Sequence, residues 1–435
     1  MKPLALLSAL FFTSLLASPT WGSELSLTDP DAPYADRSCP LTHQIRHKTS
    51  LPADCRCGTN RSNTGGIPVC QRPYEVARNM GIHLGEGPSF ANYYNAHLTG
   101  GFIDYDSNEL IASVQWGAGA ESKGLVLAYN LADWSRRFIS GDAEDEYGPH
   151  VIAEGPAFYT LKDIQPGKDG AWYGFSHEQA KGGGVLRIIR VDPTTGERSQ
   201  VWQGRSADYG QCPSGRKTVR QPSQQYVQYT QEAFAVDPAD GSFLISFNNL
   251  KMGGTGIARI SPDGARCEFV TLSGPRDDGL KKGRGFDLRG PMLGLYLHNG
   301  KIYTHSAGEK TFYEIDPATG NRKALTRRAP KPPAWRHVVW DEQRKVFWVS
   351  GKMNSVTVTA YDPAINKYLV AHKTCGKKSA WDWFPLCMQG PMRINSLNYG
   401  PMWLNRNTGN LIFGQDSIGI VEFEPETGNS INRSF

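Results

Sequence analysis

Beyond its first two dozen residues the chain lacks any apolar run approaching the roughly 18 residues that a membrane-crossing helix requires, so no membrane partner is expected. It contains no G-x-S-x-G elbow, no P-loop and no G-x-G-x-x-G between a strand and a helix. Serine-hydrolase, nucleotide and dinucleotide chemistry therefore have no motif to rest on. Lys181-Gly182-Gly183-Gly184 reads as a turn between strands. Charge of one sign is also scarce: 47 basic against 42 acidic residues leave a net charge of +5, with the basic residues scattered. The densest cluster, Lys281, Lys282 and Arg284, reads as a solvated loop, so no nucleic-acid partner is expected. Short metal motifs such as H-x-H and H-E-x-x-H are missing too.

What the chain does have begins with residues 1–22. Lys2, an apolar run from Leu4 to Leu16, and the small residues Thr20 and Gly22 read as a secretory signal peptide. All eight cysteines follow it, and an even count in an exported chain argues for disulfides. Cys39, Cys55, Cys57 and Cys70 crowd into residues 23–85, a Pro- and Gly-rich segment without apolar periodicity that needs staples to hold a shape. These four are expected to pair among themselves, with three connectivities open; the alternative for Cys55, Cys57 and Cys70 is a structural zinc. Cys212 with Cys267, and Cys375 with Cys387, are each expected to pin a loop. Asn60 and Asn432 stand in glycosylation sequons.

The strongest signal is internal repetition. Six times a β-rich run is followed by a second run and then by a turn of Asp-Pro-x-Thr-Gly type. The runs before those turns start the segments 124–134, 185–197, 256–265, 311–321, 356–366 and 419–429. Each is preceded by another strand, at 109–116, 171–178, 242–249, 301–308, 345–352 and 410–417. Alternation within the runs is the period of a strand, and Pro and Gly at fixed offsets meet the needs of a tight reversal. Four antiparallel strands repeated six times predict an all-β, six-bladed β-propeller over residues 86–435, with a disulfide-stapled N-terminal extension. Residues 141–153, 203–230, 274–290 and 371–398 are expected to be long loops on this frame. The last blade closes either with residues 429–435 or with a strand from residues 76–84.

In such a blade the entry to the innermost strand and the loop between the second and third strands share one face. This places His97, Tyr159, Glu232, Arg336, His337, Asn398 and Tyr399 beside Trp116, His177, Asn248, His305, Lys352 and Gln415 around one mouth. A concavity with apolar walls and a few fixed donors is the usual small-molecule site. The expected ligand is a small apolar or aromatic molecule.

Leu84-Gly85-Glu86-Gly87-Pro88 and Ala153-Glu154-Gly155-Pro156 resemble the E-G-P entry motif of SMP-30/gluconolactonase-like propellers. That resemblance implies a metal-dependent lactonase with Glu86 or Glu154 as ligand of one divalent ion. The whole plan, a leader, a stapled N-terminal segment and a propeller without hydrolase motifs, also resembles the secreted fungal hetero-Diels–Alderases of tropolone sesquiterpenoid pathways. This second resemblance implies a cofactor-free enzyme of secondary metabolism that closes rings by cycloaddition. Trp116, Tyr159 and Tyr399 would then stack on the substrate, with His177, Glu232, Asn248, His305, Asn398 and Gln415 around it. Arg336, His337 or Lys352 would donate to a carbonyl. Cofactor-free cyclisation is the leading expectation; the alternatives are the lactonase and a non-catalytic binding propeller.

Overall fold

The computed structural model describes residues 96–117, 122–145, 148–178, 185–205, 233–249, 254–273, 281–288, 292–306, 311–325, 334–352, 356–374, 386–388, 401–414, 419–425 and 430–434. The expected leader, the segment with four cysteines expected to be stapled, Asn60, Glu86, Cys212, Glu232, Cys375, Asn398, Tyr399 and Gln415 lie outside them.

Among the described residues six sheets follow one another along the chain, antiparallel except for one added strand in the fifth. Blade I contains β1 (His97–Asp104), β2 (Glu109–Trp116), β3 (Lys123–Asn130), β4 (Arg136–Asp145) and β5 (Gly148–Ile152). Blade II contains β6 (Thr160–Pro166), β7 (Trp172–Glu178), β8 (Val185–Val191) and β9 (Arg198–Arg205). Blade III is β10 (Phe234–Val236), β11 (Phe243–Asn249), β12 (Gly254–Ile260) and β13 (Cys267–Ser273). Blade IV is β14 (Met292–His298), β15 (Lys301–Ser306), β16 (Thr311–Ile315) and β17 (Arg322–Ala324). Blade V runs through β18 (Ala334–Asp341), β19 (Val346–Lys352), β20 (Val356–Asp362), β21 (Lys367–Thr374) and β22 (Leu386–Met388). Blade VI is β23 (Met402–Leu404), β24 (Leu411–Gly414), β25 (Ile420–Phe423) and β26 (Ser430–Ser434).

Four blades have the expected four strands, and blades I and V carry a fifth. Two expected loops are therefore partly sheet. Around 141–153 the chain extends β4 and returns antiparallel as β5, behind an acid-rich run that masks the strand in the sequence. Within 371–398, β22 pairs parallel with β21 and sets Cys387 beside Lys373. A third, 274–290, is tied down where Leu272 and Lys282 exchange backbone hydrogen bonds of 3.0 Å. The last blade closes with β26 on β25, the first of the two expected closures, and Asn432 sits in that strand opposite Val421. Cys267 opens β13 and is disulfide-bonded.

The core lies between blades. Because successive strand residues face opposite ways, a central strand buried on both sides serves two interfaces. In β2, Leu110, Ala112 and Val114 pack towards blade VI with Trp403 and Ile412, while Ile111 packs towards blade II with Phe158 and Leu161. Comparable clusters join II to III, III to IV, IV to V and V to VI, which makes the ring.

The repeated turns show why their residues recur. Asp192 Oδ1 accepts the N–H groups of Thr194 and Thr195 at 2.8 and 3.0 Å, and Asp316 does the same for Ala318 and Thr319. Gly196 and Gly320 end these turns at φ values of 74° and 72°, a conformation that side chains with a Cβ avoid. The arginine two residues later is then turned inward. Arg198 donates to Pro156 O at 2.8 Å, Ile152 O at 2.9 Å and Ser140 Oγ at 2.7 Å. Arg322 donates to Phe286 O at 2.8 Å, Lys282 O at 2.9 Å and Thr271 Oγ1 at 2.5 Å. Each guanidinium thus fastens the connection from the preceding blade.

Candidate functional site

The innermost strands β1, β6, β10, β14, β18 and β23 surround a central cavity of about 430 Å³. This size is within the range of small-molecule sites. Four of those strands carry a bulge at the same height, after Leu98, Leu161, Leu293 and Trp335. A bulge adds one residue to one strand and re-aims the side chains beyond it. The residues that follow the bulges, Gly100, Asp163, Leu295 and His337, all line the cavity.

Asp163 is the chemically distinctive group. Its Oδ1 accepts N–H from Gly101 and from Ile164, both at 2.8 Å, and Gln165 Nε2 lies 3.1 Å from each carboxyl oxygen. The carboxyl fits against β1 because residue 100 is glycine: a Cβ there would come within 2.0 Å of Oδ1. Part of the side chain faces the cavity, while protein surrounds it. Burial raises its pKa to about 7, against the opposing pull of the bonds from Gln165, Ile164 and Gly101. At neutral pH the group is divided between donor and acceptor forms.

Around it the wall is mixed. Phe102, Leu295, Val338 and Trp340 supply apolar and aromatic surface, and His97, Gln115, Lys162 and His337 supply polar groups. Lys162 also acts behind the wall: its charge adds to burial in lowering the pKa of His177 to about 4, so that imidazole is neutral at ordinary pH.

The predicted mouth residues separate into three groups. His97 and His337 line the cavity, and Arg336 is the bulge residue of β18 beside it. Four others do not line this cavity. Trp116 is buried in the packing of blade I, where its Nε1–H bonds Asp142 O at 3.0 Å and Lys123 covers its ring. Tyr159 lies at the entry to blade II under the guanidinium of Arg187, which pairs with Glu178 at 2.9 Å. His177 is buried on β7 opposite Thr160, and His305 is fully buried between β14 and β16. The Trp116 ring packs between blades I and VI, in the cluster that holds Trp403 and Ile412. Lys352 closes β19 opposite Val356, and Asn248 lies on β11 opposite Thr255.

Glu154 is exposed and stands outside the cavity; its backbone carbonyl accepts the N–H of Arg198 at 2.8 Å. Arg284 has the corresponding bond to Arg322 at the junction of blades III and IV, also at 2.8 Å. The two junctions share this backbone bond although one position carries Glu and the other Arg, so the bond does not depend on the side chain. Among the described residues no three His, Cys, Asp or Glu side chains come together as a metal site.

No protein-family model matches the chain, and no curated protein matches it. Among solved structures it is similar to a chain of a nidogen/laminin complex, at 17% identity and a TM-score of 0.37, over 63% of this chain and 79% of that one. A structural-genomics protein of unknown function from Bacteroides thetaiotaomicron shares 11% identity at a TM-score of 0.44, over 79% of this chain and 74% of that one. A protein from Bacteroides uniformis, described as a candidate 6-phosphogluconolactonase, shares 12% identity at a TM-score of 0.41, over 78% and 81% of the two chains.

Proposed function

We propose that the chain is an exported small-molecule enzyme that works in its central channel, closing a ring between apolar partners without a covalent intermediate or a cofactor. The observation that carries this reading is the pairing of an aromatic and aliphatic wall with Asp163, a sheltered carboxyl that exchanges its proton near neutrality.

The wall provides the entropic part of the task. Holding two reactants face to face replaces a bimolecular encounter by a local one. Asp163 provides the polar part. In its protonated form it donates to the carbonyl of the electron-poor partner and draws electron density towards it as the ring closes. His337, beyond the bulge of β18, is a second donor on the same wall. A low-dielectric setting strengthens both bonds, and neither requires a nucleophile.

The test is the reaction of an α,β-unsaturated ketone with an electron-rich alkene, with and without protein. We expect faster turnover and one enriched enantiomer, with the rate enhancement falling about tenfold to a hundredfold in Asp163→Asn. Racemic product at the uncatalysed rate overturns the catalytic reading. Saturable binding without turnover would instead identify a binding propeller.

A further inference from the structure

The cavity has a second chemical feature at its other end, where the turns between first and second strands lie. Arg406, just past β23, lines the cavity there together with Tyr105 and Tyr296. Its guanidinium lies over the Tyr105 ring, 5.5 Å from the centroid. That ring is itself fixed: the Tyr105 hydroxyl donates to Leu404 O at 2.8 Å and accepts the backbone N–H of Arg406 at 3.2 Å. The Tyr296 hydroxyl meets the Arg406 side chain and the backbone of Trp340. A guanidinium is planar with its donors in a fixed fork, which suits a carboxylate.

Among the described residues no carboxylate takes that place. Among the described residues Arg406 forms no ion pair. Glu342, which belongs to the same end, accepts from Trp340 Nε1 at 2.5 Å and pairs with Lys345. Asp104 is occupied by the Asp106 N–H at 3.0 Å and the Ser107 hydroxyl at 2.9 Å. A cation is left facing a lumen walled by Leu404 and Trp340.

We propose that Arg406, with the Tyr296 hydroxyl, is an anion subsite, and that the ligand of the channel is an apolar molecule bearing one acidic group. This rests on the channel being the working site and adds the substrate class. It also orients the ligand. Gly100, which abuts Asp163, is five residues before Tyr105, a span of at most about 17 Å at roughly 3.3 Å per residue. A molecule of that length or less puts its acid on Arg406 and its reacting carbonyl against Asp163.

Two dyes with one ring system separate the terms: 1-anilinonaphthalene-8-sulfonate, which is anionic, and N-phenyl-1-naphthylamine, which lacks the sulfonate. Fluorescence titration of the full chain should show tighter binding of the anionic dye, with the preference shrinking as salt rises. Arg406→Leu should weaken the sulfonate dye about tenfold and leave the neutral dye within about twofold. Tyr296→Phe should cost the sulfonate dye about threefold, and Lys281→Met, at an exposed cation outside the cavity, should leave the ratio of the two affinities unchanged. Ala233→Trp, which narrows the lumen, should weaken both dyes, with circular dichroism verifying the fold of each variant. If the neutral dye binds and Ala233→Trp weakens it, yet Arg406→Leu leaves the ratio intact, the anion subsite falls and the channel stands. If neither dye binds, or Ala233→Trp leaves both affinities unchanged, the channel reading fails and the subsite with it.

Discussion

Replacing Asp163 with asparagine should change how stability depends on pH, and the sign is opposite to that usual for an aspartate. Below the ordinary carboxyl value of 3.8 both folded and unfolded chains hold the proton. Between 3.8 and about 7 the unfolded chain releases it while the folded chain keeps it. Stability therefore falls as pH rises, because the folded state binds more protons. At about 1.4 kcal/mol per pH unit, the fall across this window comes to about 4 kcal/mol, and it is complete once pH passes about 8. Asparagine keeps an acceptor for the Gly101 and Ile164 N–H groups, and Gln165 can turn its amide to suit. It has no proton to release. The stability of Asp163→Asn minus that of the wild type should thus rise by about 4 kcal/mol between pH 4 and pH 8. Thermal melts followed by tryptophan fluorescence across that range measure it, since the subtraction cancels every other titrating group. A difference flat with pH would mean that this carboxyl ionises as it does in water, and the case for a protonated donor in the channel would end.

Two further outcomes follow from the connections between blades. Arg198→Met removes the donors held by Ile152 O and Pro156 O and should cost about 2–4 kcal/mol in thermal stability, whereas Glu154→Gln should move it by less than about 0.5 kcal/mol. Tyr105→Phe deletes the hydroxyl shared by Leu404 O and the Arg406 N–H and should cost about 1 kcal/mol, read by the same melts.

The frame was legible from sequence because its signals are local. The Asp-Pro-x-Thr-Gly turns need particular side chains at fixed offsets, and the central strands are apolar on both faces. The run expected at 109–116 is β2, and the runs expected from 171 and 345 begin one residue later as β7 and β19. The channel was less legible for a physical reason. Its lining comes from the middle of the innermost strands, where the bulges at Thr99, Lys162, Gly294 and Arg336 break the two-residue period. After such a slip, alternation no longer tells which side chains face the lumen. An aspartate in a strand interior, Leu161-Lys162-Asp163-Ile164, was the available clue to Asp163, and its partner Gly100 lies 63 positions earlier. Burial at strand ends was not legible either: Trp116 packs into the core between blades I and VI, and His305 is fully buried within blade IV.

The order of the sheets has one mechanical consequence. Among the described residues every blade is a continuous stretch of chain, with β26 finishing blade VI, so blades VI and I share no strand. Their junction relies on packed side chains such as Leu98, Trp403 and Ile412, and on the bonds of Tyr105. A ring joined in this way can widen there while all its sheets stay intact.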